Sequence, residues 1–240
     1  MKNKLYGLVL FNVLWFIVAR LTDNPVLIGP IETYIHAVKI LPDMSSHLLA
    51  SLQRICIGLS ISILLGTPIG IWMAKSKRID NILNPLVYFT YPIPKLALLP
   101  IIMLLAGIGE TSKIIMIVMI LIFQVIVSSR DAVKNIPAEN YNVLISLGSN
   151  KLQQLREIIL PAILPELFTT LRVALGTIIS VLFFTETYGT EKGMGYYIVD
   201  SWMRISYIDM YAGIALLSIM GFLLFLLIDL ADSRFCKWNK

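Results

Sequence analysis

Six long apolar runs, separated by short polar segments, constrain this chain more than any other feature. A helix needs about 20 mostly apolar residues to cross the hydrocarbon core of a bilayer, and the runs come close to that length. The fourth run, Ile114–Val127, is short, and we expect its helix to extend to Ser129. The runs are Leu5–Leu21, Ile55–Ala74, Pro85–Ala106, Ile114–Val127, Leu167–Thr185 and Tyr211–Leu230. This pattern predicts an all-α membrane protein with about six transmembrane helices, in which residues 1–240 form a single transmembrane domain.

The composition agrees with a protein surrounded by membrane lipid. Hydrophobic residues make up 57% of the chain and charged residues 15%, whereas soluble domains carry about a quarter charged residues. The net charge of +5 is spread between apolar segments and is not gathered on one face. We therefore expect no nucleic-acid partner.

The first apolar run has two interpretations. Lys2 and Lys4 precede it, and a basic start followed by an apolar core also describes a secretory signal. The residues that follow offer no clean small-x-small cleavage site, and five more apolar runs come after them. The retained transmembrane helix is the favoured interpretation.

The distribution of basic residues predicts the orientation, because loops rich in Lys and Arg stay in the cytoplasm. With a cytoplasmic N-terminus, twelve basic residues fall on the inner side and six on the outer side. The inner ones are Lys2, Lys4, Lys75, Lys77, Arg78, Arg130, Lys134, Lys151, Arg156, Arg234, Lys237 and Lys240. The outer ones are Arg20, Lys39, Arg54, Lys113, Lys192 and Arg204. Both termini are therefore predicted to be cytoplasmic.

The third run contains three prolines at its centre. Pro92, Pro94 and Pro100 each remove a backbone donor and crowd the preceding turn, so a regular helix is not expected from Tyr91 to Pro100. Irregular backbone persists at membrane depth only where protein or a water-filled cavity satisfies its polar groups. We expect this segment to face the middle of the protein and line a pathway; a bent structural helix is the alternative.

In the second run, small residues recur every four positions. Gly58, Ser62, Gly66 and Gly70 fall on one helical stripe. Such stripes let a neighbouring helix approach closely, so we predict a packing role.

A polar stretch of about thirty residues separates the fourth and fifth runs. Pro137 can begin a first short helix, Ala138–Leu147, because its missing amide is not needed in a first turn. Gly148 then suits the left-handed conformation that ends many helices. We expect a tight turn at this glycine.

A second short helix follows the turn. Asn150 can cap it, with Gln153 completing a capping box, and Leu152 lies on its apolar face. We expect Pro161 and Pro165 to end this helix and to begin the next span. The pair of helices either lies on the membrane surface or docks a cytoplasmic partner.

No residue pattern predicts an enzyme. Cys56 and Cys236 are far apart, and His36 and His47 lack an acidic or thiol cluster, so we expect surface histidines and no metal site. The string GTEKGMG at residues 189–195 lacks the ending of a phosphate-binding loop.

An ion-driven secondary transporter is also disfavoured. Such transporters usually place ionisable residues near the middle of the membrane to bind the coupling ion. In this chain Glu186 and Asp229 lie at the edges of their runs, and no internal repeat is evident.

Four stretches together resemble a known family: SLQRICIGLSISILLGTPIGIWMA, PLVYFTYPIPKLALLPIIMLLAGIGETSKI, ILPAILPELFTTLRVALG preceded by a glycine and a helix, and GMGYYIVDSW. They are similar to the nitrate, sulfonate and taurine branch of the binding-protein-dependent permeases of bacterial ABC importers. The resemblance covers residues 45–232, and residues 137–160 resemble the EAA loop that couples such permeases to their ATPase.

One departure concerns the acidic residue of that loop. Asn142, Val143 and Leu144 stand where the family usually has Glu-Ala-Ala, while Gly148 and the Leu160–Pro161 pair are kept. The resemblance thus implies a docking helix of unchanged shape without that acid. The predicted ATPase-coupling residues are Asn142, Val143, Leu144, Gly148, Leu152, Leu160 and Pro161.

The resemblance also implies the rest of the machine. The chain itself would bind no cofactor, because ATP and Mg belong to a separate ATPase dimer. A second copy of the permease and an extracytoplasmic solute-binding protein would complete an importer in the bacterial inner membrane. The residues predicted to line the translocation pathway are Tyr91, Pro92, Pro94, Lys95, Pro100, Arg172 and Glu186. For Lys95 and Arg172 the alternative is a position near a helix end from which the charge reaches the headgroups.

The sequence indicates the transported solute less directly than it indicates the family. Lys95, next to the proline break, could attract an anion such as a sulfonate, taurine or nitrate. Related permeases that move thiamine-type pyrimidines or other organic nutrients resemble this chain equally well. The expected function is therefore import of a small solute, with an anion favoured.

Overall fold

The computed structural model describes residues 2–22 and 24–239, and these residues contain helices and no strand. In chain order the α-helices are α1 (Lys2–Thr22), α2 (Pro30–Lys75), α3 (Lys77–Thr90), α4 (Leu99–Ala106), α5 (Glu110–Lys134), α6 (Ala138–Ser146), α7 (Lys151–Gln154), α8 (Leu160–Glu186), α9 (Met194–Met203) and α10 (Tyr207–Phe235). The all-α prediction is confirmed.

The chain divides into two compact units. One comprises the residues up to Leu52 together with Glu186–Met220. The other comprises Gln53–Thr185 and the residues from Gly221 onward. We call them the first and the second unit.

In the first unit, α1 is held by aromatic and polar contacts. The Trp15 ring stacks on Tyr211 of α10 with 6.0 Å between centroids, and its indole N–H donates to the Ile28 carbonyl at 3.1 Å. His36 lies 2.6 Å from the Asp209 carboxylate. The expectation of surface histidines is wrong for His36, because it is half-buried against this partner.

The core of the second unit is built on the predicted stripe of small residues. A Cβ added to Gly58 would lie 2.4 Å from the Ile117 side chain of α5, and one added to Gly70 would lie 2.5 Å from the Ile126 carbonyl oxygen. Ser62 is fully buried in the same row. Helices α2 and α5 therefore approach closely along this stripe, and its packing role is confirmed.

In the part of the chain that the structure describes, four helices are long and apolar enough to cross a membrane: α2, α5, the helix from Lys151 to Glu186, and α10. The pair Lys77–Thr90 and Lys95–Ala106 would count as a fifth if it forms one broken span, and Tyr6–Thr22 is a shorter apolar helix. Each of the six predicted runs overlaps one of these elements, and the third run also includes the break between the two arms of the pair. Six crossings, and the orientation of the termini, stay predictions.

Helix α2 is longer than its apolar run. It extends unbroken over 46 residues from Pro30, which at 1.5 Å per residue is about 69 Å. Since the hydrocarbon core of a bilayer is about 30 Å thick, the helix continues well beyond it. The residues of α2 that precede the predicted run at Ile55 are therefore part of the same helix.

The predicted break in the third run is present. Helix α3 ends at Thr90, a 3₁₀ turn occupies Lys95–Leu98, and α4 begins at Leu99. The two arms are bent by 88°. Leu99 and Ile102 then pack against Met116 and Ile120 of α5, which anchors the second arm.

The predicted helix end at Pro161 and Pro165 is wrong. The helix that starts at Lys151 runs on without interruption to Glu186. A π turn at Leu155–Ile159 precedes the prolines, and there the Leu160 amide donates to the Leu155 carbonyl five residues back. This wider turn moves aside the carbonyl that the proline ring would otherwise meet, so the chain stays helical.

Candidate functional site

The loop between α5 and α8 is built by local hydrogen bonds. Helix α6 ends in a Schellman arrangement: the Gly148 amide donates to the Ile145 carbonyl at 2.9 Å and the Ser149 amide to the Leu144 carbonyl at 3.0 Å. Gly148 has a φ of +79°, a backbone conformation in which a residue with a side chain would be strained. The predicted left-handed stop is confirmed.

The start of α7 also matches its prediction. The Gln153 amide donates to the Asn150 side chain at 2.9 Å, and the Gln153 side-chain oxygen accepts from the Asn150 amide at 2.7 Å. This reciprocal capping box satisfies two amides that would otherwise lack partners. Both sides of Gly148 are therefore fixed, and the loop is a defined turn.

Apolar side chains are exposed on both sides of this turn. Leu147 is 77% exposed and Leu152 is 72% exposed, with Val143 and Ile145 also exposed. Asn142 is exposed beside them, whereas Leu144 is half-buried. We call Val143, Ile145, Leu147 and Leu152 the apolar tip. Contiguous exposed apolar residues mark a surface that contacts a protein or a membrane.

Two of the predicted coupling residues line one cavity. Val143 and Pro161 face an open cavity of about 640 Å³ together with Glu157 and Trp238. Leu160 faces a different cavity, on the side of α2. Leu160 and Pro161 therefore lie on two faces of the helix that begins at Lys151, and Val143 of α6 shares the cavity of Pro161.

The break in the third run opens a second cavity, of about 330 Å³, lined by Tyr91, Pro94 and Lys95. The Lys95 ammonium donates to the Thr90 carbonyl at 3.1 Å and lies 5.9 Å from the ring centroids of both Tyr91 and Phe123. Cation–π contacts of this kind hold an ammonium without neutralising it. Pro92 and Pro100 are exposed and are absent from this cavity's lining.

Sequence reasoning missed the opposite wall of this cavity, which Phe123, Gln124 and Thr177 provide. Gln124 is an uncharged polar residue within an otherwise apolar run, and that isolated position was the available signal. Thr177 carried no comparable signal.

Arg172 lies in a separate polar cluster. Its guanidinium donates to Asp229 at 2.8 Å and to Asp232 at 3.2 Å. Burial, together with Asp232, raises the pKa of the neighbouring Cys236 thiol to about 11. Because its guanidinium contacts two carboxylates of α10, the charge of Arg172 is neutralised. Arg172 is not in the lining of the Lys95 cavity.

Glu186, in the first unit, is fully buried. Its carboxylate accepts from the Ser51 hydroxyl at 2.7 Å and from the Gly195 amide at 2.8 Å. Ser51 in turn accepts from the Met194 amide at 2.9 Å. These bonds join α2 and the end of α8 to the first turn of α9.

His47 also lies in this part of the first unit and is half-buried. Its ring is within 3.2 Å of the Gly193 carbonyl and stacks on Tyr196. The expectation of surface histidines is wrong for this residue too.

An ion pair between a buried arginine and an exposed glutamate in the second unit was also missed. Arg54 is 1% exposed and donates to Glu110 at 2.6 Å and 2.5 Å. Lys113 is fully buried and donates to the Gly109 carbonyl at 2.9 Å. Arg54 and Lys113 were counted above as outer-loop charges, yet both are core residues. Their removal from the count leaves the inner excess of basic residues larger.

Comparisons with known proteins agree with this architecture. Residues 66–237 match the family described as the binding-protein-dependent transport system inner membrane component. The chain is 36% identical over 193 residues to the taurine transport system permease protein TauC of Escherichia coli, covering 80% of this chain and 70% of that protein. It is 29% identical over 234 residues to the formylaminopyrimidine transport permease protein ThiX of Halalkalibacterium halodurans, covering 97% and 94%.

A solved structure supports the fold. The inward-facing MetNI methionine ABC transporter superposes with a TM-score of 0.65 at 19% identity, covering 84% of this chain and 98% of that one. The family match begins at Gly66 within the α2 stripe and extends over the broken third run and the loop at Gly148. The chain therefore belongs to the binding-protein-dependent transport system inner membrane component family: it is the multi-pass permease subunit of an ABC importer of small solutes, and not an enzyme.

Proposed function

We propose that two copies of this chain form the pathway for a small organic anion of the sulfonate class. ATP hydrolysis would be supplied by a separate ATPase dimer, and an external binding protein would deliver the cargo. Both termini and the loop around Gly148 would then be cytoplasmic. The observation that carries the proposal is the apolar tip on a fixed turn that continues directly into a span.

The continuity of the helix from Lys151 to Glu186 supports a coupling role. A displacement of the apolar tip would be transmitted along this helix, because no flexible joint separates the two. For ATPase binding at the tip to change the conformation of the pathway, the two sites must be connected by a stiff element whose conformational equilibrium both of them shift. The acid that commonly contacts the ATPase is absent here, so apolar contact by Val143, Leu147 and Leu152 would carry most of the docking.

The cavity at the break supports the anion. Lys95 is the charged residue of its lining, and an ammonium with three donors keeps two after bonding to Thr90. TauC, named for taurine, an aminosulfonate, is among the relatives. A formylated pyrimidine is the second candidate, because ThiX aligns with nearly the whole chain.

The external binding protein would meet the outer segments Thr22–His47 and Thr187–Asp209. The ordered first turn of α9, held by Glu186 and Ser51, supports a fixed docking surface there. Asp23 lies outside the described residues.

Substrate class is tested by uptake into proteoliposomes that contain the permease with its ATPase and binding protein. Taurine and formylaminopyrimidine are supplied separately. We expect taurine uptake that falls about tenfold in Lys95→Gln and recovers in Lys95→Arg, since the loss of a hydrogen bond to a charged group costs about 1.5 kcal/mol, which is close to a factor of ten. Uptake of the pyrimidine alone would select the second candidate.

Coupling is tested by labelling. Leu152→Cys, in a chain whose Cys56 and Cys236 are replaced by Ser, should react with a membrane-impermeant maleimide only in inside-out vesicles. Addition of the ATPase should protect it. Lys77→Cys, which is exposed at the start of α3 on the same predicted side of the membrane, is the control that the ATPase should leave unchanged. Reaction of Leu152→Cys from the outside would refute the orientation.

A further inference from the structure

An apolar groove on the second unit includes Leu160, one of the predicted coupling residues, but it lies apart from the apolar tip and the Lys95 cavity that the proposed transport mechanism uses. It has a volume of about 620 Å³ and lies between the second half of α2 and the helix segment Leu155–Leu167. Ile163 and Leu167, which are 1% and 7% exposed, form its floor, and Leu64 and Trp72 stand exposed on its rim. The volume falls in the range of about 300–1,000 Å³ that is usual for ligand pockets.

One end of this groove is basic. Lys75, the last residue of α2, is part of the lining. Lys77 and Arg78 follow at the start of α3, and all three side chains are exposed. Among the described residues, no ion pair involves any of them. The adjacent Asp80 is already paired with Lys134 and lies 3.6 Å from Arg130, so it leaves these three cations uncompensated.

The groove and its basic end have the pattern of a lipid site. Its walls belong to two membrane-spanning helices, so its open side faces acyl chains. Trp72 lies one turn before Lys75, and tryptophan is enriched where a span reaches the headgroups. Clusters of Lys and Arg at the end of a span attract anionic lipid headgroups.

We propose that this groove binds one anionic phospholipid, with an acyl chain along Leu64, Trp72 and Ile163 and the headgroup phosphate at Lys75, Lys77 and Arg78. A neutral phospholipid would fill the same apolar floor but would leave the three cations unpaired. A second permease copy would bury Trp72 against protein and would have to match the same positive charge. The lipid therefore accounts for both the apolar walls and the basic end.

Trp72 provides a direct reporter. The chain has four tryptophans, and replacement of Trp15, Trp202 and Trp238 by Phe leaves Trp72 alone. The 240-residue chain is placed in nanodiscs of phosphatidylcholine that contain increasing fractions of brominated phosphatidylglycerol or of brominated phosphatidylcholine. Bromine quenches tryptophan fluorescence on contact. The lipids occupy both leaflets, so the result is independent of the orientation of the chain.

We expect quenching of Trp72 by brominated phosphatidylglycerol at a concentration about tenfold lower than by brominated phosphatidylcholine, because each basic residue near the surface attracts an anionic headgroup. The preference should disappear in Lys75→Gln/Lys77→Gln/Arg78→Gln. It should persist in the control Arg234→Gln/Lys237→Gln, which removes two exposed cations outside the groove.

Three outcomes would overturn the proposal. Equal quenching by the two lipids would mean ordinary surrounding lipid. Absence of quenching by either would mean that protein, such as a second copy, covers the groove. A preference that survives in the triple Gln variant would place the anion recognition elsewhere.

Discussion

Two proline-bearing regions of the second unit behave in opposite ways. From Tyr91 to Leu98 the chain leaves the α-helix and turns by 88°. From Leu155 to Pro165 it stays helical with two prolines inside. The proline count alone does not separate these outcomes.

The spacing of the prolines explains the difference. Pro92 and Pro94 are two apart, so two amide donors are missing within one turn. Tyr91 keeps helical dihedral angles, with φ −61° and ψ −50°, whereas Ile93, which precedes Pro94, is restricted towards extended conformations. Pro161 and Pro165 are four apart, and the π turn before Pro161 accommodates the backbone amide that this proline lacks. A break forms where two restrictions fall within one turn. The helix remains continuous where the two prolines are a full helical turn apart and a π turn precedes them.

The functional consequence differs too. Under the proposed function, the first region would contribute a cavity with irregular backbone to the pathway, and the second would join the apolar tip to a span through a continuous helix. The first region therefore suits solute contact, whereas the second suits the transmission of force.

The largest expected effect comes from giving the second region the spacing of the first. Ile163→Pro creates a Pro-x-Pro pattern with both Pro161 and Pro165. An interior helix proline costs about 3 kcal/mol, and we expect ATP-driven uptake to fall about 100-fold. Uptake into proteoliposomes and the ATPase rate measure the effect. Ile163→Ala is the control for the lost side chain, and equal losses in both variants would contradict the role of continuity.

The reverse change should straighten the first region. In Pro92→Ala/Pro94→Ala, restored amides allow α3 to continue into α4. Spin labels at residues 82 and 104, both exposed in the structure, should then move apart by about 10 Å, because 22 residues of straight helix span about 33 Å. Pulsed electron resonance measures the distance. An unchanged distance would show that packing of α4 on α5, and not the prolines, holds the bend.

The comparison also shows what the sequence could predict. The Gly148 stop and the Asn150 capping box depend on residues within five positions of each other, and both were predicted correctly. The break at Pro92 and Pro94 is equally local. Such features follow from backbone sterics and need no knowledge of the rest of the fold.

The missed features depend on distant residues. Arg54 pairs with Glu110 across 56 positions, and no local pattern indicates that contact. The π turn at Leu155–Ile159 lies where buried Ile159 and Ile163 pack, so tertiary packing overrides the proline signal. The same holds for Arg172, whose two carboxylate partners lie on another helix.

A smaller effect is expected at the turn that begins the second region. Gly148→Val forces a β-branched side chain into a φ of +79°, which costs about 1–2 kcal/mol and should reduce coupled ATP hydrolysis about tenfold. Space is not the limit, since a Cβ at this position meets nothing within 4 Å. Gly148→Asn is the matched variant, because asparagine tolerates this conformation. Similar losses in both would argue against a conformational cause.

The smallest effect should come from removing one proline of the second region. In Pro161→Ala the wide turn at Leu155–Ile159 already holds the helix, so the added amide changes its path little, and we expect uptake within about twofold of the unaltered protein. Pro94→Ala alone is the counterpart in the first region and should disturb uptake more, because it relieves one of two restrictions within a single turn. Uptake measured side by side tests the contrast. If Pro161→Ala were the more damaging of the two, the proline and not the π turn would be what shapes the coupling helix.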